Sequence, residues 1–246
     1  MEEPKPRVRE GAPPKPRRVY KGVGVGPQTD GLYPVLLDGR TAFTPLRAKL
    51  AAASPALADA VAKEWDAQDP HIDPETMPLT RLLATQIDRI GPQRGAVIAS
   101  LIGYIDADSI CYRAPYPADL CERQAQQWQP VLDWLSREHD LVLHTSEGAM
   151  PVAQPPGTDD RFRRILEGLD DTRLTAFQAA AALASSLALA LALIFRRLSA
   201  GEVFAAAYLD EIYQAERWGE DKEAADRRKR IAGDLDAIDR YLTLSV

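Results

Sequence analysis

The stretch from Leu174 to Leu198, LTAFQAAAALASSLALALALIFRRL, holds no charged residue between Arg173 and Arg196. Its alanine and leucine content gives it high helical propensity. Thr175, Gln178, Ser185 and Ser186 are the polar interruptions. A helix that is apolar on nearly every side has to be surrounded, by protein or by lipid. Length admits lipid, since about 20 apolar residues span a bilayer. Two features speak for protein. Much of the run is alanine, which contributes little to insertion, and the flanking segments read as amphipathic helices able to wrap it. The expectation is a buried central helix, the hub of a helical bundle. A single-span membrane protein is the competing reading.

The chain has 246 residues, enough for one large domain or two ordinary ones, and 46% of them are apolar, enough for a sizeable core. A net charge of −6 argues against general nucleic-acid binding and against an anionic membrane surface. Two cysteines, Cys111 and Cys121, form no disulfide framework and suit a reducing compartment. The first residues lack the apolar core of a signal peptide, and Glu2, Glu3 and Glu10 are unlike a mitochondrial presequence. A cytoplasmic bacterial protein is expected, or one of the mitochondrial matrix if the source is eukaryotic.

Composition changes twice along the chain. Residues 1–18, with five prolines and six basic residues, read as a flexible arm. Residues 19–73 read as a small α+β domain. Strands are expected over 18–25, 32–37 and 40–44, with Asp38-Gly39 as a hairpin turn. Gly22, Gly24 and Gly26 suggest a dinucleotide loop only superficially, because Pro27 and a turn follow where a helix would have to open. Ser54-Pro55 starts a helix that places Leu57, Val61 and Trp65 on one face, with Trp65 as a packing anchor. A linker follows over 71–78.

Residues 74–246 read as all helical, apart from connections at 106–117 and a proline-rich crossing at 141–156. Gly91-Pro92 is expected to break one helix, and Pro130 to kink or restart another. Ser199 and Glu202 form a capping box for a single helix reaching Trp218, with Gly219 as its stop. Val203, Ala206 and Leu209 are placed toward the core, and Tyr208, Glu211 and Tyr213 on the surface. Asp221 caps the last helix, whose Arg227–Arg230 run is read as a solvated face.

No constellation of catalytic residues stands out. His139 and His144 are five apart, so they miss the helical metal spacing, and no metal or cofactor is expected. No G-x-S-x-G elbow or Walker-type loop occurs. Asp106 and Asp108 read as capping residues, and the two cysteines as thiols inside a bundle.

Several segments together resemble one family, the assembly chaperones of the F1 ATP synthase that act on its alpha subunit. They are RVYKGVGV at 18–25, LDGRTAFTP at 37–45, LADAVAKEWDAQ at 57–68 and MPLTRLLATQID at 77–88. Further on come DSICYRAPYPADLCERQAQQWQPVLDW at 108–134, SLALALAL at 186–193 and LDEIYQAERWGED at 209–221. The resemblance implies an α+β fold: a small N-terminal α+β domain with a short antiparallel sheet, followed by a larger all-α orthogonal helical bundle. It implies a non-enzymatic protein that binds the free alpha subunit and shields its beta-facing surface, without ATP or metal. A monomer is expected for a holder that must let go. By the same resemblance Glu211 matches a functional glutamate, and Trp65 the tryptophan of a Glu-Trp motif. Glu211 can equally be a structural ion-pair partner of an arginine. Aromatic residues favour interface hot spots, so the candidate partner-binding residues are Glu211, Tyr208, Tyr213 and Trp65. The alternative is a small-molecule-binding protein or enzyme using the cleft between the domains, which requires a deep pocket with convergent polar groups.

Overall fold

The structure is a computed structural model that describes residues 15–148 and 150–246; most of the expected arm, residues 1–14, lies outside them. Lys15–Arg18 lie along the 70–73 segment: the Lys15 ammonium meets Asp73 at 2.6 Å and the Ile72 N–H donates to the Pro16 carbonyl at 2.8 Å.

Four short strands come first: β1 (Val23–Val25), β2 (Tyr33–Leu37), β3 (Arg40–Thr41) and β4 (Ala51–Ala52). All pairings are antiparallel and β2 is central, with Val25 opposite Val35, Leu37 opposite Arg40 and Tyr33 opposite Ala52. Asp38 and Gly39 both take the left-handed conformation, φ 49° and 77°, which a two-residue hairpin turn requires. The Asp38 carboxylate also accepts the Lys21 and Gly22 N–H groups, so one residue makes the turn and clamps the neighbouring strand. The glycine triplet is part of this sheet. A Cβ on Gly26 would lie 2.9 Å from the Pro34 ring, a closeness only glycine permits. The expected third strand is shorter than 40–44 because the chain turns back after Thr41, leaving one bridge from Phe43 to Lys49.

Helix α1 (Pro55–Asp66) is capped by Ser54 and buries Leu57, Ala58 and Val61 against the sheet. Helix α2 (Pro78–Thr85) follows a single 3-10 turn, and Met77 offers it no side-chain cap. The cap comes from α1 instead. Glu64 accepts the Leu79 N–H at 2.8 Å and both the N–H and hydroxyl of Thr80 at 2.7 Å. This is a carboxylate at a helix N-terminus, where the unpaired donors and the dipole favour it. Gly91-Pro92 does not end this helix. A π-helical turn over Gln86–Ile90 passes into α3 (Gly91–Ile102), and the bend falls at Gln93.

Two further two-residue strands, β5 (Tyr112–Arg113) and β6 (Ser146–Glu147), pair in parallel around helix α4 (Ala118–His139), in a region expected to hold only helices and irregular connections. Pro130 neither stops nor restarts α4. Then come α5 (Thr158–Glu167), α6 (Asp171–Ala184), α7 (Leu187–Ile194), α8 (Ala200–Ala207), α9 (Leu209–Trp218) and α10 (Lys222–Leu244).

The charge-free run is therefore two helices. Ser185 turns left-handed (φ 50°) and Ser186 caps α7 by accepting the Leu189 N–H at 3.0 Å. Asp108 adds a second cap, accepting the Ala188 N–H at 2.8 Å. Every residue of α7 is buried, and it packs against α4, α6 and α8. Among the described residues no helix is long and apolar enough to cross a membrane. The expected 201–218 helix is also two pieces. The backbone leaves helical geometry at Tyr208 (φ −108°, ψ 17°), between a true capping box at Ser199–Glu202 and the stop at Gly219.

Candidate functional site

Three hollows join end to end along the outer side of α2, the π turn and α6. The first, about 590 Å³, lies between sheet and bundle and is lined by Phe43, Pro45, Leu50, Trp65, Ile72 and Met77. The second, about 290 Å³, lies between α2, α6 and α10, with Leu82, Gln178, Ala182, Leu183, Asp234 and Ile238 on its walls. The third, about 400 Å³, opens between α3 and the α6–α7 break, bordered by Val97, Tyr104 and Ser185. Arg81, Thr85 and Arg89 are shared by the first and second hollows; Arg89, Gln178 and Ala182 by the second and third. Shared walls set the three hollows in one row, a segmented groove that is apolar along most of its length. Phe43, 53% exposed, stands at its sheet end.

Two of the four expected site residues adjoin this groove. Trp65 forms part of the first hollow and packs on Tyr20, ring centres 5.9 Å apart, while the Tyr20 hydroxyl donates to the Trp65 carbonyl at 2.8 Å. It is thus both the anchor expected from α1 and a groove wall. Tyr208 sits behind the second hollow. Its hydroxyl donates to the carbonyl of Leu183 at 2.8 Å, its ring stacks on Phe204, and the Arg227 guanidinium lies 5.9 Å from the ring centre. Burial raises the Tyr208 hydroxyl above its ordinary pKa.

Glu211 is half-buried in a cluster on α9 and α10. It accepts from Arg227 at 2.6 Å and lies 3.7 Å from Arg228, which also meets Glu220 at 2.6 Å. The structural ion pair is present, and it sits on α10 two turns before Asp234 of the groove wall, about 10 Å along the axis. Arg228 is buried, so the Arg227–Arg230 run is not wholly a solvated face.

Tyr213 does not share the surface expected for it. It is 3% exposed, because it follows Leu209 by one helical turn and faces the core with it. Its hydroxyl donates to Asp119 on α4 at 2.9 Å, and its ring lies between the guanidinium groups of Arg123 and Arg217, at 5.3 and 4.6 Å. The Tyr213 hydroxyl and then Arg217 hold Asp119 below the ordinary carboxylate range. This cluster fastens α9 to α4.

Arg81, Arg89 and Gln178 are groove residues that reading the sequence left without a role. Gln178 had a visible signal, as the lone amide in a charge-free run. Arg89 had none, because nothing in its sequence neighbourhood announces the π turn that carries it.

The two cysteines and His139 are occupied structurally. Burial, with Asp108 beside it, pushes the Cys111 thiol up to about 12, and Cys121 donates its thiol hydrogen to the Ala114 carbonyl at 3.0 Å. His139 packs against Trp134 and Phe195, ring centres 4.8 and 4.6 Å away. Among the described residues no group of three or more His, Cys, Asp or Glu is placed to hold a metal ion.

A family model described as ATP12 chaperone protein matches residues 17–136. The crystal structure of Atp12 from Paracoccus denitrificans superposes with a TM-score of 0.85 at 37% identity, covering 94% of this chain and 99% of that one. The chain belongs to the ATP12 chaperone family. A point mutant of P. denitrificans Atp12p is similar at 36% identity and TM-score 0.85, over 94% of this chain and 98% of that one. Mitochondrial atp12 of Schizosaccharomyces pombe is 25% identical over 223 residues, which cover 86% of this chain and 76% of the yeast protein. ATP12 chaperones act in assembly of the F1 sector of ATP synthase. The α+β architecture expected from the resemblance, a small antiparallel sheet followed mostly by helices, is the one observed.

Proposed function

We propose that this ATP12-family chaperone is a non-enzymatic holder of the free F1 alpha subunit. It covers the face that later meets the beta subunit and releases its client into the hexamer without nucleotide or metal. In this reading residues 19–73 and 74–246 act as two domains, and the groove between sheet and bundle forms the client surface with the adjoining Tyr208–Glu211 corner.

The observation that carries the reading is a long, mostly apolar groove with Trp65 in its wall and, on its bundle side, Leu183, whose carbonyl accepts the hydroxyl of Tyr208 from behind. A holding chaperone needs an accessible apolar surface with a polar rim rather than a catalytic cluster. Large aromatic side chains half-buried in such a wall are the residues expected to dominate binding.

The test is capture of newly made alpha subunit by the tagged full chain, wild type against Glu211→Lys and Trp65→Ala. Because Glu211 lies between Arg227 and Arg228, thermal unfolding of each variant is measured alongside. Loss of capture by variants that remain folded supports the client surface. Folded variants that hold the alpha subunit with wild-type affinity overturn it, and leave Glu211 as a structural ion pair.

A further inference from the structure

Arg89 stands where the three hollows meet, on the π turn, and is the cation of the groove without a counter-charge. Arg81 is neutralised by Asp234 at 2.8 Å. Asp88 is turned toward the sheet, accepting the Thr44 hydroxyl at 2.6 Å and the Leu46 N–H at 3.1 Å. Arg89 is exposed and makes no ion pair among the described residues. π turns are rare and recur at functional sites. This one places a guanidinium at the junction of two apolar hollows and a third.

The groove walls carry a second signal. Four buried side-chain polar atoms among the described residues have no protein hydrogen-bond partner, and three of them, Trp65 Nε1, Arg81 Nε and Gln178 Oε1, belong to groove-lining residues. The fourth is Arg113 Nε, elsewhere. Buried polar groups are nearly always paired, so their concentration on one groove calls for a reason. The three atoms are closed off from solvent; rotation of these wall side chains would turn two donors and an acceptor toward the alternating carbonyl and N–H groups of an extended backbone. From Pro78 to Leu101 the framing helices run roughly 30 Å. A client segment of about nine extended residues covers that length.

Resting on the chaperone reading above, we infer that the groove binds one extended segment of the client. The segment places apolar side chains in the outer hollows and an aspartate or glutamate at its middle, where Arg89 receives the carboxylate. Arginine suits this role because its planar fork can take both carboxylate oxygens. A single free cation in an acidic protein does not suit a nucleic-acid backbone, which needs several.

The test uses labelled nine-residue peptides tiling the alpha subunit, titrated with the full chain. Each acidic peptide is paired with its amide form, Asp→Asn or Glu→Gln. The expected result is that an acidic peptide binds and competes with whole alpha subunit, and that its amide form binds roughly ten- to a hundredfold more weakly. Arg89→Ala should lose the same factor for the acidic peptide and nothing further for the amide form. Arg89→Glu should prefer the peptide carrying lysine at that position. Arg89 is exposed and makes no ion pair among the described residues, so both variants should melt as the wild type does. Equal binding of acid and amide forms, or of wild type and Arg89→Ala, overturns the inference. So does capture of whole alpha subunit with which no peptide competes, although that result leaves the chaperone reading standing. Failure to bind alpha subunit at all removes both. Sedimentation showing a dimer that closes the groove would also overturn it.

Discussion

Helices α6 and α7 come from one charge-free run and end in opposite situations. All of α7 is buried, and its N-terminus is held by Ser186 and by Asp108 from a distant segment. In α6, by contrast, Gln178, Ala179, Ala182 and Leu183 remain partly open and form one wall of the groove. The same composition therefore supplies a core rod and a binding wall. What separates them is a left-handed serine, a capping serine and one buried carboxylate. Uniform hydropathy tells that a segment must be covered, but not whether its own chain covers all of it.

The largest expected effect lies on the α7 side. Leu191→Ala removes a fully buried side chain from a helix with no open face, so it should destabilise by about 3 kcal/mol or more. Urea unfolding measures it. A loss below about 1 kcal/mol would mean that α7 is not the rigid core piece described, and would weaken the contrast with α6.

Asp108→Ala comes next. It leaves the Ala188 and Ile110 N–H groups without their acceptor inside the core, which should destabilise by about 2 kcal/mol. Asp108→Asn keeps one acceptor oxygen and separates shape from charge. Burial raises the Asp108 carboxyl above the ordinary carboxylate range, against the lowering pull of the Ser186 hydroxyl and the backbone N–H groups. The folded protein thus holds that proton more tightly than the unfolded chain does. Stability contributed by the proton is present in the ordinary carboxylate range and is lost as pH rises through the raised value. Relative to Asp108→Asn, the wild type should therefore gain stability as pH falls through that value. Glu64, also raised by burial, acts in the same direction. Asp119 acts oppositely. It is held down by the Tyr213 hydroxyl and then Arg217, so its contribution is present above the ordinary range and lost as pH falls through its depressed value. Unfolding midpoints against pH for wild type, Asp108→Asn and Asp119→Asn would resolve the two slopes. Parallel curves for wild type and Asp108→Asn would contradict the assignment.

The same contrast marks what could be read without coordinates. The buried rod, the hairpin at Asp38-Gly39, the caps at Ser54, Ser199 and Asp221, and the α+β class all follow from local rules of turn chemistry, capping and hydropathy. The breaks at Ser185 and Tyr208 do not. Serine in an alanine-leucine run is only mildly unfavourable to a helix, and what stabilises the break is Asp108, some eighty positions away. Tyr213 was misplaced although it lies one turn after Leu209, which was placed toward the core: its hydroxyl reads as a surface group, and the Asp119 on α4 that receives it is 94 positions away. For the site, Trp65 and Tyr208 were legible as aromatic side chains on amphipathic segments. Arg89 was not, because its importance comes from a π turn and from the meeting of three hollows.

The smallest effect on stability should fall on the α6 side and yet be the most telling for function. Ala182 is exposed and borders both the second and the third hollow. Ala182→Leu adds a branched side chain into open groove space on a helix that tolerates leucine as well as almost any residue, so unfolding should shift by no more than about 0.5 kcal/mol. Capture of alpha subunit should nevertheless fall, because the added volume narrows the channel beside Gln178. A matched change on the α7 side, Ala190→Leu, overpacks a closed core and should cost about 1–3 kcal/mol while leaving the groove lining untouched. Measuring unfolding and capture for both variants therefore gives a crossed pattern: stability falls in one, binding in the other. If Ala182→Leu binds the client as the wild type does, the wall formed by α6 is merely surface. The two halves of the run would then differ in burial but not in task.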